Sequence, residues 1–292
     1  MTESAVKYGI LVGVDGSPES DAAVRWAARE AELRDLPITL AHVVVPVVVS
    51  WPVRSFQADF DKWQEDNARQ VIEQAQKRLT SLGQSEPSSV STAVLHDYAV
   101  PALVTASKKA HLVAVGSRGM GAVGRAVLGS VSGGLVHHAR CPVAVVQAEE
   151  GHTTDLTSPV LLGIDGSPAS EAATALAFDE ASRRHVDLVA LHAWSDTGVF
   201  PVLGMDWQEY EGEGHEVLSE RLAGWQEQYP DVAVRRRIVC DRPAHWLIEE
   251  SEQSQLVVVG SHGRGGFAGM LLGSVSTAVA EAAKAPVIVV RD

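Results

Sequence analysis

The sequence predicts an α/β protein made of two tandem doubly wound, Rossmann-like domains, and three observations carry that prediction. Short β-branched runs alternate with longer amphipathic stretches, the pattern of βαβ units around a parallel sheet. The whole series occurs twice in 292 residues. Each series also holds the same glycine-rich segment directly behind an apolar run: Gly116-x2-Gly119-x9-Gly129-Ser130 behind Leu112–Val115, and Gly260-x2-Gly263-x9-Gly273-Ser274 behind Leu256–Val259.

The first copy opens on a strand near Gly9–Val14 that runs into Asp15-Gly16-Ser17-Pro18. Ser17-Pro18 marks a helix start, a capping hydroxyl followed by proline at the first helical position, where no N–H is needed. This sets a helix at Glu19–Leu33 and leaves Asp15 in the turn at the carboxyl end of the first strand. Further strands are expected at Ile38–Val44, Val90–Leu95, Leu112–Val115 and Val143–Val146, with helices at Phe60–Leu82, Pro101–Lys108 and Ser130–Ala139. Five strands joined by four crossovers make one doubly wound domain.

The second copy returns the landmarks in order. Leu162-Gly163-Ile164-Asp165-Gly166-Ser167-Pro168 repeats the first turn, and Ala190-Leu191-His192-Ala193 echoes Leu40-Ala41-His42-Val43. Pro243-Ala244 matches Pro101-Ala102, and Ala285-Pro286-Val287 matches Cys141-Pro142-Val143. A repeat of this length fixes the architecture ahead of local detail. The polar, aperiodic stretch 148–158 separates a domain at 1–148 from a domain at 159–292, both of ordinary domain size.

Composition narrows the function. Lys and Arg number 24 against 37 Asp and Glu, a formal charge of −13, so the overall field repels nucleic acid and anionic membranes. No apolar run reaches the roughly 18 residues of a membrane span, and Met1-Thr2-Glu3-Ser4 lacks a basic secretory start, so a cytoplasmic protein without membrane insertion is expected. Cys141 and Cys240 occupy unrelated places in the two copies, which argues for ordinary thiols.

A glycine loop behind a strand, followed by a helix, gathers backbone N–H groups at one point and lets a polyphosphate come close. Open parallel sheets bind ligands at the carboxyl edge, at the point where strand order reverses. Asp15 and Asp165 lie at that edge with the loops, so they read as contacts to a base or ribose. No Walker lysine follows either loop, since Ser130-Val131-Ser132 comes after Gly129, which excludes a P-loop NTPase. Gly119-Met120-Gly121-Ala122-Val123-Gly124 meets the dinucleotide pattern, yet it stands behind the fourth strand and has no acidic residue about twenty positions on. An NAD-type protein is therefore a weaker alternative. His42 and His192 read as packed structural residues. There is no nucleophile elbow and no H-E-x-x-H, so binding is better supported than chemistry.

Asp15 and Asp165, the paired G-x2-G-x9-G-Ser loops and the closing runs Pro142–Val146 and Pro286–Val290 resemble the universal stress protein family, in its ATP-binding branch. The resemblance covers nearly the whole chain, in a tandem layout typical of actinobacterial, including mycobacterial, members. It implies a five-stranded parallel sheet of order 3-2-1-4-5 in each domain. It also implies ATP at two sites per chain, accompanied by Mg2+, and a regulatory role in stress, dormancy or slow growth. A slow ATP hydrolase or adenylyl-transferring enzyme is the rival reading.

Carried over by motif, Asp15 and Asp165 contact the adenosine part, Gly13 and Gly163 admit the nucleotide to the first strand, and Val43 and Ala193 offer backbone groups to adenine. Gly116, Gly119, Gly129 and Ser130 cradle ribose and phosphates in the first copy, with Arg118, Gly121 and Val131 completing the set. Gly260, Gly263, Gly273 and Ser274 do so in the second, with His262, Gly265 and Val275. Arg118 and Arg125 stand against His262 and Gly269, and Arg264 replaces Met120, so unequal affinities are expected. The closing strands are further implied to pair the two copies as a pseudo-dimer within the chain, with a homodimer beyond it and a regulatory protein partner whose identity the residues do not give.

Overall fold

The computed structural model of the chain describes residues 7–46, 57–81, 89–119, 128–148, 155–193, 207–263 and 272–291. It divides into two compact units, Met1–Glu150 and Gly151–Asp292. The first unit runs β1 (Ile10–Gly13), α1 (Pro18–Arg34), β2 (Ile38–Val44), α2 (Gln57–Ser81), β3 (Val90–His96), α3 (Ala99–Ser107), β4 (Leu112–Gly116), α4 (Ser130–His138) and β5 (Val143–Val146). Its strands are parallel, in the order β3-β2-β1-β4-β5. The second unit runs β6 (Val160–Gly163), α5 (Pro168–Arg184), β7 (Leu188–Ala193), α6 (Trp207–Gln228), β8 (Val234–Val239), α7 (Pro243–Glu250), β9 (Leu256–Gly260), α8 (Ser274–Ala282) and β10 (Val287–Val290). Its order is β8-β7-β6-β9-β10, again parallel.

A parallel strand covered by helices on both faces has no polar side, which is why the central strands read as unbroken apolar runs. Ile10, Leu11 and Val12 of β1 and Leu112, Val113 and Ala114 of β4 are buried, and Ile10 pairs with Leu112 in register. From β1 the chain crosses to β2 on one side, and β4 joins β1 on the other. The carboxyl ends of β1 and β4 therefore flank the switch point, and those of β6 and β9 do the same in the second unit.

Helix starts follow the sequence signals. The Ser17 hydroxyl accepts a hydrogen bond from the Ser20 N–H at 3.1 Å and the Ser167 hydroxyl accepts one from Ser170 at 3.2 Å, each with proline next in line. In the second unit Phe178 of α5 is fully buried against Trp225 and Tyr229, at ring separations of 6.1 and 5.7 Å. Burial pushes the Cys141 thiol up to about 12, so it is a protonated core residue at neutral pH. Among the described residues no helix is long and apolar enough to cross a membrane.

One element departs from expectation. Helix α3 begins at Ala99, two residues before Pro101, whereas α7 begins at Pro243 itself. Proline is tolerated at either place because first-turn N–H groups have no intrahelical partner. Leu103 packs beside Gly13 and Leu247 beside Gly163, which makes those leucines equivalent. Ala99 therefore corresponds to Pro243, and Pro101 to His245. The Pro-Ala match read from sequence was two residues out of step.

A methyl on Gly116 would lie 2.7 Å from the backbone carbon of Glu19, so α1 is packed directly onto the end of β4. Gly116→Ala is expected to cost about 1–3 kcal/mol through overpacking. Gly224→Ala in α6, where nothing lies within 4 Å of the new methyl, is expected to stabilise by about 0.5–1 kcal/mol. Urea unfolding followed by far-UV circular dichroism should separate the two in opposite directions.

Candidate functional site

Each site is assembled around the turn that leaves the first strand. Gly16 and Gly166 take φ of +85° and +80°, a left-handed conformation open to glycine, and this swings the chain from strand to helix. The Ser17 N–H and hydroxyl both donate to Asp15 Oδ1, at 2.9 and 2.6 Å. In the second unit the Ser167 N–H donates to Asp165 Oδ1 at 2.9 Å, while the Ser167 hydroxyl donates to the His262 carbonyl at 3.1 Å. The other aspartate oxygen faces the glycine loop. Asp165 Oδ2 stands 2.6 Å from where a Gly263 side chain would begin, and Asp15 Oδ2 crowds the same place on Gly119.

The absent side chains of these glycines thus have protein neighbours. Gly119 and Gly263 lie outside the left-handed region and leave room for the aspartate. Gly116 and Gly260 leave room for the first turn of α1 and α5, where a methyl would meet the backbone of Glu19 or Ala169 at 2.7 Å. Gly13 admits Val115 and Leu103, and Gly163 admits Val259 and Leu247.

The two ends of each loop are fastened together. The Ser117 N–H donates to Val146 at 2.7 Å and the Gly129 N–H returns to the Ser117 carbonyl at 2.8 Å. The Ser261–Val290 and Gly273–Ser261 bonds repeat this at 2.7 Å each. The Ser132 hydroxyl donates to Ser117 at 2.8 Å, and the Ser276 hydroxyl to Gly260 at 2.5 Å. Helices α4 and α8 then begin behind Gly129 and Gly273 with no side-chain cap. The N–H groups of Ser130 and Val131, and of Ser274 and Val275, are left to the positive end of each helix dipole.

In the second unit these parts line a half-open cleft of about 630 Å³. Gly163, Asp165, Ala193, Gly260, His262, Gly263, Gly273, Ser274 and Val275 all line it. Gly265 lies outside the described residues, as do Gly121, Arg125, Arg264 and Gly269. Val43 is the last residue but one of β2, in register with Leu95 as Ala193, the last of β7, is with Val239. His42 and His192 are structural: the Nδ1–H of each donates at 2.7 Å to the backbone carbonyl just past the first strand, Val14 and Ile164.

The two sites differ in charge. Arg118 reaches Glu19 at 3.5 Å, so the loop cation of the first unit is held by the helix beneath it. Its counterpart His262 has Nδ1 at 2.9 Å from the Ser261 hydroxyl, and Ala169 replaces the glutamate. The Ser117 hydroxyl, matching Ser261, is buried and has no hydrogen-bond partner among the described residues. Arg242 and His245 also line the second cavity. Sequence reading missed them because the two-residue misalignment hid the counterparts Tyr98 and Pro101. Arg221 of α6 lies against Gly166, where the first unit has Val71 at 3.8 Å from where a Gly16 side chain would begin.

Comparison with protein-family models matches the universal stress protein family over residues 9–147 and 157–291. A universal stress protein of Mycolicibacterium smegmatis is 60% identical over 292 residues, covering 100% of this chain and 99% of that protein. A universal stress protein of Mycobacterium tuberculosis is 50% identical over 294 residues, covering all of both chains. A crystal structure of a universal stress protein from Archaeoglobus fulgidus superposes with a TM-score of 0.70 at 19% identity, covering 100% of this chain and 99% of that one.

The contact between aspartate and loop glycine gives a direct test. Gly119→Ala should destabilise the first unit by about 1–3 kcal/mol, because the methyl displaces the Asp15 carboxylate. In an Asp15→Ala background the same substitution should be nearly neutral, a coupling of about 1 kcal/mol or more in a double-mutant cycle. Additive unfolding free energies would show that the two residues do not touch.

Proposed function

The chain belongs to the universal stress protein family, and from that premise we propose that it is an ATP-binding regulator of a stress response in the cytoplasm, holding one nucleotide at the carboxyl edge of each domain. The observation that carries this reading is the half-open cleft of about 630 Å³ lying over the uncapped start of α8. Its volume falls within the roughly 300–1,000 Å³ of small-molecule sites. Its donors are backbone N–H groups at a helix start, which favour phosphate over neutral ligands.

In this reading Ser274 and Val275 donate to phosphate oxygens, with Ser130 and Val131 doing so in the first domain. Asp165 lines the same cavity, where a carboxylate accepts from ribose hydroxyls and repels phosphates, and this favours the ribose end of the nucleotide beside it. Ala193, at the end of β7, supplies backbone groups for the base. Mg2+ would be carried by the phosphate oxygens of the triphosphate and would neutralise part of their charge. ATP occupancy, through the loop that touches both helix starts, then sets which surface the domain presents to a partner.

Titration calorimetry of ligand-stripped protein should give two ATP per chain. Asp165→Ala should weaken one site about tenfold or more, the loss expected for a hydrogen bond to a charged group of about 1.5–3 kcal/mol. Absence of any binding by adenine nucleotides would overturn the reading.

A further inference from the structure

The two copies differ on the cavity wall at a place that no loop motif marks. With Leu103 and Leu247 equivalent, Tyr98 and Arg242 are equivalent too, each standing immediately before the first residue of α3 or α7. Tyr98 has an ordinary φ of −66° and is exposed. Arg242 has φ +52°, a left-handed conformation costly for any residue with a side chain, and it lines the cavity. Among the described residues no ion pair holds its side chain. His245, in the first turn of α7, lines the same cavity where the first copy has Pro101.

Summed over each site, the contrast is one of charge. Among the described residues the second cavity carries the guanidinium of Arg242 against the single carboxylate Asp165, with the imidazoles of His245, 3.6 Å from Glu249, and His262 beside them. The first copy has Tyr98 and Pro101 at the matching places, and its loop cation Arg118 is paired with Glu19. A guanidinium stays charged at every physiological pH and presents a fork of donors that fits phosphate oxygens, whereas a tyrosine offers one neutral hydroxyl.

We propose that Arg242 is a specificity-determining residue: it makes the second site select for the phosphate charge of its ligand, nucleoside triphosphate over uncharged nucleoside, more strongly than the first. The inference rests on the nucleotide-binding reading and adds an unequal division of labour. The first site recognises its ligand chiefly through backbone and base contacts. The second adds a side-chain cation, so it separates charged from uncharged forms of the same nucleoside.

The test is calorimetry on the full chain with ATP and, separately, adenosine, for the wild type, Arg242→Gly, Arg242→Lys and Tyr98→Arg. Glycine adopts φ +52° without cost, so Arg242→Gly removes the charge while relieving the backbone; circular dichroism checks the fold. The expected result is two ATP sites in the wild type, the tighter one losing about tenfold in Arg242→Gly, with adenosine affinity changed less than about twofold. Arg242→Lys should keep most of the ATP affinity, and Tyr98→Arg should tighten the weaker site for ATP alone. Unchanged ATP binding in Arg242→Gly, or equal losses for ATP and adenosine, would overturn the role of Arg242 while leaving the nucleotide reading in place. Failure of the wild type to bind either ligand would overturn the nucleotide reading, and this inference with it.

Discussion

The carboxylate at the exit of the first strand is shared between two parts of the chain that are far apart in sequence, and much of each domain's geometry follows from that sharing. One oxygen of Asp15 accepts from the Ser17 N–H and hydroxyl, and the other presses on Gly119, roughly a hundred positions later. Asp165 repeats the arrangement with Ser167 and Gly263. The helix start and the glycine loop are thereby held in one position relative to the sheet. Gly116 and Gly260 complete the lock, because the first turn of the helix lies where their side chains would be. What this packing leaves over is the set of uncapped N–H groups at the start of α4 and α8, already oriented toward the edge.

This gives the glycines a meaning different from the one a phosphate-binding loop suggests. Their first duty is to let protein meet protein: aspartate on Gly119, helix backbone on Gly116, strand and helix side chains on Gly13. Close approach of a ligand is a consequence, since the loop ends 260–263 and 272–273 are drawn against the sheet and the first helix, and their backbone lines the cavity. Preorganisation of this kind lowers the ordering cost of binding. It also explains how two copies can share a framework and still diverge in charge. Arg242 lines the second cavity, and Arg118, Glu19 and Tyr98 differ from their counterparts His262, Ala169 and Arg242 while the aspartate–glycine contacts are the same in both copies.

Much of this was legible in the sequence, for physical reasons that also mark where reading stops. Buried parallel strands appear as apolar runs, so the central strands could be placed from runs such as Leu112–Val115 and their repeats, whereas β8, with Arg235, Arg236 and Arg237 exposed, carries no such run. Ser17-Pro18 and Ser167-Pro168 announced their helices because cap chemistry is local. The structural role of His42 and His192 was legible as well, and the backbone bonds they make give it content. The start of α3 was not, since proline is tolerated at several positions of a first turn and Pro101 and Pro243 use different ones. The Arg118–Glu19 pair joins residues 99 positions apart, and the left-handed Arg242 leaves no trace in composition or periodicity. Long-range pairing and backbone conformation at non-glycine residues are set by tertiary packing, which a repeat alignment cannot supply.

The central claim is that both copies present the same preorganised helix start to one class of ligand. Hydrogen exchange followed by mass spectrometry, on the full chain with and without saturating ATP, tests it most directly. Slowed exchange is predicted in the segments 116–119 and 129–132 of the first domain and in 260–263 and 273–276 of the second. Saturation with ATP while exchange in these four segments stays unchanged, with protection appearing elsewhere in the chain, would contradict the account.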